Sequence, residues 1–130
     1  MNNFQTCLVI DTNILFMALT KQREPAKLID LAIQEKIILF APDSVRKELG
    51  RVLRRELFME ENLIKQIIKS LPVKWANSSI YGPYLRKTEV KHKSDKPVEA
   101  LALALNCKIL SADKHFKKRV NAKDILKMFD

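Results

Sequence analysis

Short apolar runs alternate with stretches of helical periodicity along this chain, and this alternation restricts the fold more than any other feature. Residues 6–10, 36–41, 72–76 and 107–110 have the length and composition of buried strands. Apolar residues at helical spacing predict helices over 24–35, from 42 onward, across 63–71 and over 97–105. Strands that alternate with helices form a parallel sheet covered on both faces. We therefore expect an α/β fold, a three-layer α/β/α sandwich around a central, mainly parallel sheet of four to five strands.

The rest of the chain is less regular. Residues 77–94 show no periodicity and carry the turn sequence Tyr81-Gly82-Pro83, so we expect a loop with at most short structured pieces. A short terminal element and a helix are expected near residues 121–129. No repeat, low-complexity segment or linker divides the sequence, and residues 1–130 are predicted to form a single domain.

Charge and glycine content narrow the classes of function. The formal net charge of +9 favours a polyanionic partner such as nucleic acid. A lysine-rich surface that serves only solubility would carry the same charge. The chain has two glycines, Gly50 and Gly82. Phosphate-binding loops and dinucleotide fingerprints need several glycines at fixed spacing, which argues against a nucleotide triphosphatase or a Rossmann dehydrogenase.

The cysteines and the apolar runs bear on the cellular compartment. Cys7 and Cys107 both lie in apolar strand-like runs. We interpret them as small buried hydrophobic residues of a reduced cytoplasmic protein, in preference to a disulfide or a metal-binding pair. Residues 1–5 lack a charged leader segment, and no apolar run is long enough to span a membrane. We therefore expect a soluble, cytoplasmic protein with no membrane partner.

Acidic residues follow the predicted strands at positions where a parallel sheet gathers its functional groups. Asp11 ends the first strand and Asp113 lies just past the fourth. The carboxyl ends of parallel strands share one edge, which is where such sheets form their functional crevice. Asp95 lies at the entrance of the helix that precedes the fourth strand, and Glu48 lies on the inward side of the helix after the second. The four carboxylates are therefore expected to converge.

A cluster of like charges in a crevice is costly unless a cation neutralises it. Oxygen ligands suit Mg²⁺ or Mn²⁺, which can activate a water and neutralise a phosphodiester. Each acid also has a local alternative role. Asp11 can cap the following turn, Glu48 can be solvated, and Asp113 can be an ordinary turn residue. Asp95 can cap its helix, although Pro97 favours Lys96 as the cap and places Asp95 outside the helix.

Four motifs together resemble the PIN domain ribonuclease family, which includes the toxins of prokaryotic toxin–antitoxin pairs. The opening apolar strand that runs into Asp-Thr-Asn is present as "VIDTNIL" (9–15), and the second acidic motif as "KELGRVL" (47–53). An aspartate before an alanine-rich helix is present as "SDKPVEALALAL" (94–105), and the closing strand with Ser-x-Asp as "KILSADKHF" (108–116). The order and spacing agree over nearly the whole chain.

The resemblance implies a metal-dependent endoribonuclease. It implies that Asp11, Glu48, Asp95 and Asp113 bind Mg²⁺ or Mn²⁺ and act in catalysis, and that Thr12, Asn13 and Ser111 support them by hydrogen bonds. Glu99 lies one helical turn after Asp95 on the same face, as a possible fifth acidic ligand or a water-positioning group. The family also implies an RNA substrate, an antitoxin partner if the protein is a toxin, and a homodimer.

Basic residues cluster in two places. The stretch before Asp95 has the composition of a segment that tracks an RNA strand by phosphate contacts and stacking: Tyr84, Arg86, Lys87, Lys91, Lys93 and Lys96. A solvated, partly disordered loop is the alternative. A second group flanks Glu48 and could meet phosphates or a partner protein: Arg46, Lys47, Arg51, Arg54 and Arg55. His92 and His115 lack partners at zinc-ligand spacing and are interpreted as isolated surface residues.

Other functions compete with the nuclease. A signalling receiver domain needs an acidic pair after its first strand and a phosphoacceptor after its third, and "PVKWANSS" contains no aspartate. A phosphatase with Asp-x-Asp after the first strand would need an acid where Asn13 stands. A catalytically silent PIN-like module that binds RNA or protein remains open. So does an RNA-processing nuclease unrelated to toxin–antitoxin systems.

Overall fold

The parallel sheet expected from the sequence is present in the computed structural model, which describes residues 6–129. Its strands are β1 (Thr6–Ile10), β2 (Ile37–Pro42), β3 (Val73–Ala76), β4 (Lys108–Leu110) and β5 (Arg119–Val120), in the spatial order β3-β2-β1-β4-β5. Every neighbouring pair is parallel. The expectation about residues 1–5 lies outside the described residues.

Helices cover the sheet and complete the predicted α/β/α sandwich. They are α1 (Thr12–Leu19), α2 (Arg23–Ile33), α3 (Asp43–Leu57), α4 (Glu61–Ser70), α5 (Ser78–Tyr81), α6 (Lys96–Leu105) and α7 (Ala122–Lys127). Two 3-10 segments, Gly82–Lys87 and Lys93–Asp95, fill the region expected to be a loop with short structure. Helix α6 packs on β1, β2 and β4, and α2 contacts both α1 and α7. Within residues 6–129, no helix has the length and apolar character needed to cross a membrane.

The core lies where strand and helix periodicity predicted it. Leu8, Val9 and Ile10 of β1 are all at most 1% exposed, as expected for the central strand of a sheet covered on both faces. Leu49 and Leu53 of α3 are fully buried, four residues apart on one helix face. This packing holds the carboxyl ends of β1 and β2 against the helices that follow them.

Four sequence-based expectations need correction. The segment after Asp11 is the eight-residue helix α1 rather than only a turn. The strand β5 was not predicted. Helix α6 begins at Lys96, so Asp95 occupies the N-cap position that we had assigned to Lys96. The fourth correction concerns the cysteines, which form a disulfide.

The disulfide joins Cys7 in β1 to Cys107 just before β4. The Cα atoms of the two residues are 5.5 Å apart, within the usual range for a disulfide. Parallel pairing of Leu8 with Lys108 places the preceding residues, the two cysteines, side by side at the amino ends of the strands. The interpretation of the cysteines as unpaired buried thiols is therefore wrong, although Cys107 is buried as expected.

Candidate active site

Asp11 is the most buried acid of the proposed set. It follows β1 directly and serves as the N-cap of α1, where Oδ1 accepts a hydrogen bond from the backbone N–H of Ile14 at 3.0 Å. Oδ2 accepts a hydrogen bond from the hydroxyl of Ser111. The capping role considered from the sequence is therefore real. Because a carboxylate can accept about four hydrogen bonds, capping leaves acceptor capacity for a ligand.

Register between β1 and β4 brings Asp11 and Ser111 together from opposite ends of the chain. Ile10 pairs with Leu110 at the ends of the two strands, and Asp11 and Ser111 are the residues that follow them. The Ser111 hydroxyl donates to Asp11 and accepts from the backbone N–H of Asp113 at 2.9 Å. Ser111 is fully buried. Ser111 therefore connects the first acidic segment to the last.

Thr12 and Asn13 occupy contrasting environments in the first turn of α1. Thr12 is 3% exposed, and its hydroxyl has no hydrogen-bond partner within residues 6–129. A buried hydroxyl without a partner is costly. Within residues 6–129, the hydroxyl of Thr12 therefore does not give the acids the hydrogen-bonding support that the resemblance implied. Asn13 is exposed at the surface of the same turn.

Asp95 and Glu48 reach the same edge from two helices. Asp95 occupies the N-cap position of α6 but makes no side-chain capping bond, so its carboxylate is not used by the helix. Glu48 lies in the second turn of α3 and is half-buried. Burial raises the pKa of Asp95, and the charges of Asp113 and Glu48 raise it further. Asp95 therefore interacts electrostatically with both Asp113 and Glu48.

The pKa of Asp11 responds to the same cluster. Burial is the largest cause and raises this pKa above its ordinary value, while the hydrogen bonds from Ser111 and Ile14 oppose the shift. The negative charges of Asp95 and Asp113 raise it further. A carboxylate in this environment is ionised more favourably when a cation is close. The electrostatics therefore favour a positive ligand at this edge of the sheet.

The donor set fits a hard divalent cation in its chemistry, but it is not assembled into a closed cage. All four candidate ligands offer carboxylate oxygens, which Mg²⁺ and Mn²⁺ prefer. Within residues 6–129, however, no group of three His, Cys, Asp or Glu side chains lies close enough to hold a metal ion as arranged. Glu48, Asp95 and Asp113 are half-buried, so each carboxylate is partly open to solvent. Binding a metal ion would require side chains of this set to move from their present positions.

Glu99 makes contacts that differ from the role expected of it. Its Oε1 accepts hydrogen bonds from the backbone N–H groups of Glu89 at 2.6 Å and Val90 at 3.1 Å. One oxygen of this carboxylate is therefore used to hold the chain that precedes Asp95. These bonds favour a structural use of Glu99 over a place among the metal ligands.

Two histidines that we had interpreted as isolated lie side by side next to the acids. The ring centroids of His92 and His115 are 5.5 Å apart. Asp113 accepts a hydrogen bond from the backbone N–H of His115 at 2.9 Å, and its Oδ1 lies 3.5 Å from Nε2 of that residue. Both histidines oppose the increase in the pKa of Asp95. The only indication of this arrangement in the sequence is that each histidine lies within three residues of a candidate acid.

The basic stretch is a structured part of the surface. Arg86 and Lys87 lie in the 3-10 segment Gly82–Lys87, and Nζ of Lys87 is 5.3 Å from the centroid of the Tyr84 ring. Lys91 and Lys93 are exposed, whereas Lys96 is half-buried at the start of α6. The segment is therefore available to a ligand that approaches the acidic edge.

Comparisons with known proteins agree with this architecture. A family model described as the PIN domain matches residues 7–120. The fold matches the crystal structure of VapBC2 from Rickettsia felis bound to a DNA fragment from their promoter, with a TM-score of 0.65 and 17% sequence identity over 89% of this chain and 98% of that one. At this identity the match shows a shared fold. No curated protein matches. Because the family model covers most of the chain, including all four candidate acids, this protein belongs to the PIN domain family.

Proposed function

We propose that this protein is a metal-dependent endoribonuclease that hydrolyses RNA phosphodiester bonds. The observation that carries the proposal is the shared acidic edge, where the charges of Asp95 and Asp113 raise the pKa of the buried Asp11. The net charge of the polypeptide is +9, and a cation bound at this edge would offset the mutual repulsion of the carboxylates. Membership of the PIN domain family supports the same assignment.

In this proposal Asp11, Glu48, Asp95 and Asp113 hold Mg²⁺ or Mn²⁺. A divalent cation in such a site supplies an activated water and neutralises charge on the phosphate. Ser111 orients Asp11 through its hydroxyl, and the backbone N–H of Ile14 holds the other oxygen of that carboxylate.

Basic side chains along one approach to this edge would bind the substrate. Lys91 and Lys93 are exposed between the Tyr84–Lys87 contact and Asp95. Arg86 and Lys96 extend the same surface toward either end. Phosphate contacts by these residues would hold a single strand near the carboxylates without selecting its sequence. The exposed histidine pair lies next to the acids and could contact the same strand.

A protein partner is the second part of the proposal. One solved structure with this fold is the VapBC2 complex from Rickettsia felis, bound to a DNA fragment from their promoter. We propose that the protein is the toxin of a toxin–antitoxin pair, covered by an antitoxin in its inactive state, and that it forms a homodimer in the cytoplasm.

Cleavage of a labelled RNA pool with Mn²⁺, Mg²⁺ or EDTA tests the proposal. The parent, Asp11→Asn and Asp95→Asn would be compared, with Asp30→Asn as the matched control because Asp30 is an exposed aspartate of α2 away from the site. We expect metal-dependent cleavage that is lost in the two site variants and retained in the control. Metal-independent cleavage, or equal cleavage by all four proteins, would refute the metal site.

A catalytically silent binding module is the competing function. The absence of a ready three-donor arrangement within residues 6–129 is the observation that favours it. Titration of Mn²⁺ into the parent separates the two. Binding of the ion that disappears in Asp11→Asn supports the enzyme, whereas RNA binding without any metal binding supports the silent module.

A further inference from the structure

The chain that leads into Asp95 has little regular structure of its own. We call residues 88–93 the basic strap, because they carry Lys91 and Lys93 toward the acidic edge. The basic strap connects the 3-10 segment Gly82–Lys87 to the 3-10 segment Lys93–Asp95. Such a segment stays in one place only if contacts from neighbouring elements hold it.

The strongest contact on the basic strap comes from Glu99 in the first turn of α6. Its Oε1 accepts hydrogen bonds from two successive backbone N–H groups, those of Glu89 and Val90. Hydrogen bonds to a charged acceptor are stronger than neutral ones. Val90 itself is 6% exposed and packs into the core. Glu99 and Val90 together therefore fix the start of the basic strap against α6.

Two weaker contacts join the basic strap to the segment that carries Asp113. Lys117 forms an ion pair with Glu89, but both side chains are largely exposed, so this pair contributes little. The ring of His92 lies against that of His115. The basic strap is thus bonded to α6 through Glu99 on one side, and on its exposed side it contacts Lys117 and His115 of the chain after β4.

We propose that Glu99 is a positioning residue for RNA binding: by holding the basic strap, it keeps Lys91, His92 and Lys93 beside the acidic edge. The inference rests on the proposed ribonuclease function and assigns Glu99 a role other than a fifth metal ligand or a water-positioning group. Glu99 would act on the affinity for RNA and leave the metal site intact. Its loss would raise KM and leave kcat nearly unchanged.

A pair of variants separates this role from metal binding. Glu99→Gln keeps an oxygen that can accept both N–H groups, whereas Glu99→Leu removes it. Losing hydrogen bonds to a charged group corresponds to about a tenfold change in an equilibrium constant. We therefore expect Glu99→Leu to weaken binding of a labelled single-stranded RNA about tenfold in EDTA, and Glu99→Gln to bind nearly as the parent does. Mn²⁺ binding, followed by electron paramagnetic resonance, should be unchanged in both variants.

Controls keep the test independent of folding and of catalysis. Lys117→Met removes the exposed ion pair together with one positive charge, and it should weaken RNA binding much less than Glu99→Leu does. Amide hydrogen exchange of residues 89 and 90 should be slow in the parent and in Glu99→Gln. This measurement decides the anchoring role even if Glu99→Leu does not fold.

Three results would overturn the inference. Loss of Mn²⁺ binding in Glu99→Gln would make Glu99 a metal ligand. Unchanged RNA affinity and KM in a folded Glu99→Leu would show that the basic strap does not need this anchor, and unprotected amides at 89 and 90 would show that the hydrogen bonds do not form. A parent that binds RNA without cleaving it would refute the proposed function alone, since the binding comparison still tests Glu99.

Discussion

Reduction of the Cys7–Cys107 disulfide should destabilise this protein substantially. The bond connects β1 to the start of β4 across a sequence separation of 100 residues. In the chain-entropy description, a cross-link that closes a loop of this length restricts the unfolded chain by about 4.7 kcal/mol at 25 °C. Disulfides usually contribute about 2–4 kcal/mol, because the native state and residual structure offset part of this term.

That free energy sets the size of the thermal effect. For a chain of this length, each kcal/mol shifts Tm by roughly 4 °C. We therefore expect complete reduction to lower Tm by roughly 10 °C. The parallel pairing of β1 with β4 should persist in the reduced protein, because the ladder and the buried leucines around it do not depend on the sulfur atoms.

The assay is thermal denaturation of the parent with and without a reductant, with alkylation and mass spectrometry to count free thiols in each sample. The double variant Cys7→Ala/Cys107→Ala is the control, and its Tm should not respond to the reductant. A parent whose Tm is unmoved although alkylation shows complete reduction would refute the magnitude. Two free thiols in the air-oxidised, denatured protein would refute the bond itself.

Three further predictions concern single residues. The native state raises the pKa of Asp11 above its ordinary 3.8, so it binds that proton more tightly than the unfolded chain does. In EDTA, the contribution of Asp11 to the free energy of unfolding should therefore fall as the pH rises above 4, and Asp11→Asn, compared with the parent by urea titration, should lack this contribution. Burial and the 2.6 Å hydrogen bond to Asp43 raise the pKa of Tyr81 to about 12, so stability should decline between pH 10 and 12, and Tyr81→Phe should remove that part of the decline in the same assay. Leu101 is fully buried in α6, and Leu101→Ala should lower the free energy of unfolding by about 2–5 kcal/mol; a loss well below this range would show that the cavity refills.

Local patterns made much of the fold predictable. The apolar run before Asp11 and the helical spacing of Val45, Leu49 and Leu53 each depend on a few neighbouring residues, so they can be recognised without knowing the partners. The parallel arrangement then follows from the alternation of elements. It places Asp11 and Asp113 at one edge, because strand ends in such a sheet share a side.

Features that depend on distant pairing were missed. The disulfide and the contact between His92 and His115 both require knowledge of which strands are neighbours and in which register. Helix α1 was missed because its eight residues are apolar on most sides and therefore lack the polar face by which a surface helix is recognised. The hydrogen bonds of Glu99 to the preceding chain could not be inferred from its spacing to Asp95, since its partners are backbone groups nine and ten residues earlier.

The strand order has a consequence for the protein while it is being synthesised. Within this domain, β1 is made long before its neighbour on one side, β4. Until then Asp11 lacks Ser111, and Asp113 has no strand to hold it at the edge of the sheet. Because domains fold as the chain emerges from its amino end, any activity that needs all four acids begins only after nearly the whole domain has been made. A cell that produces this protein is therefore not exposed to a partly synthesised chain with a complete acidic site.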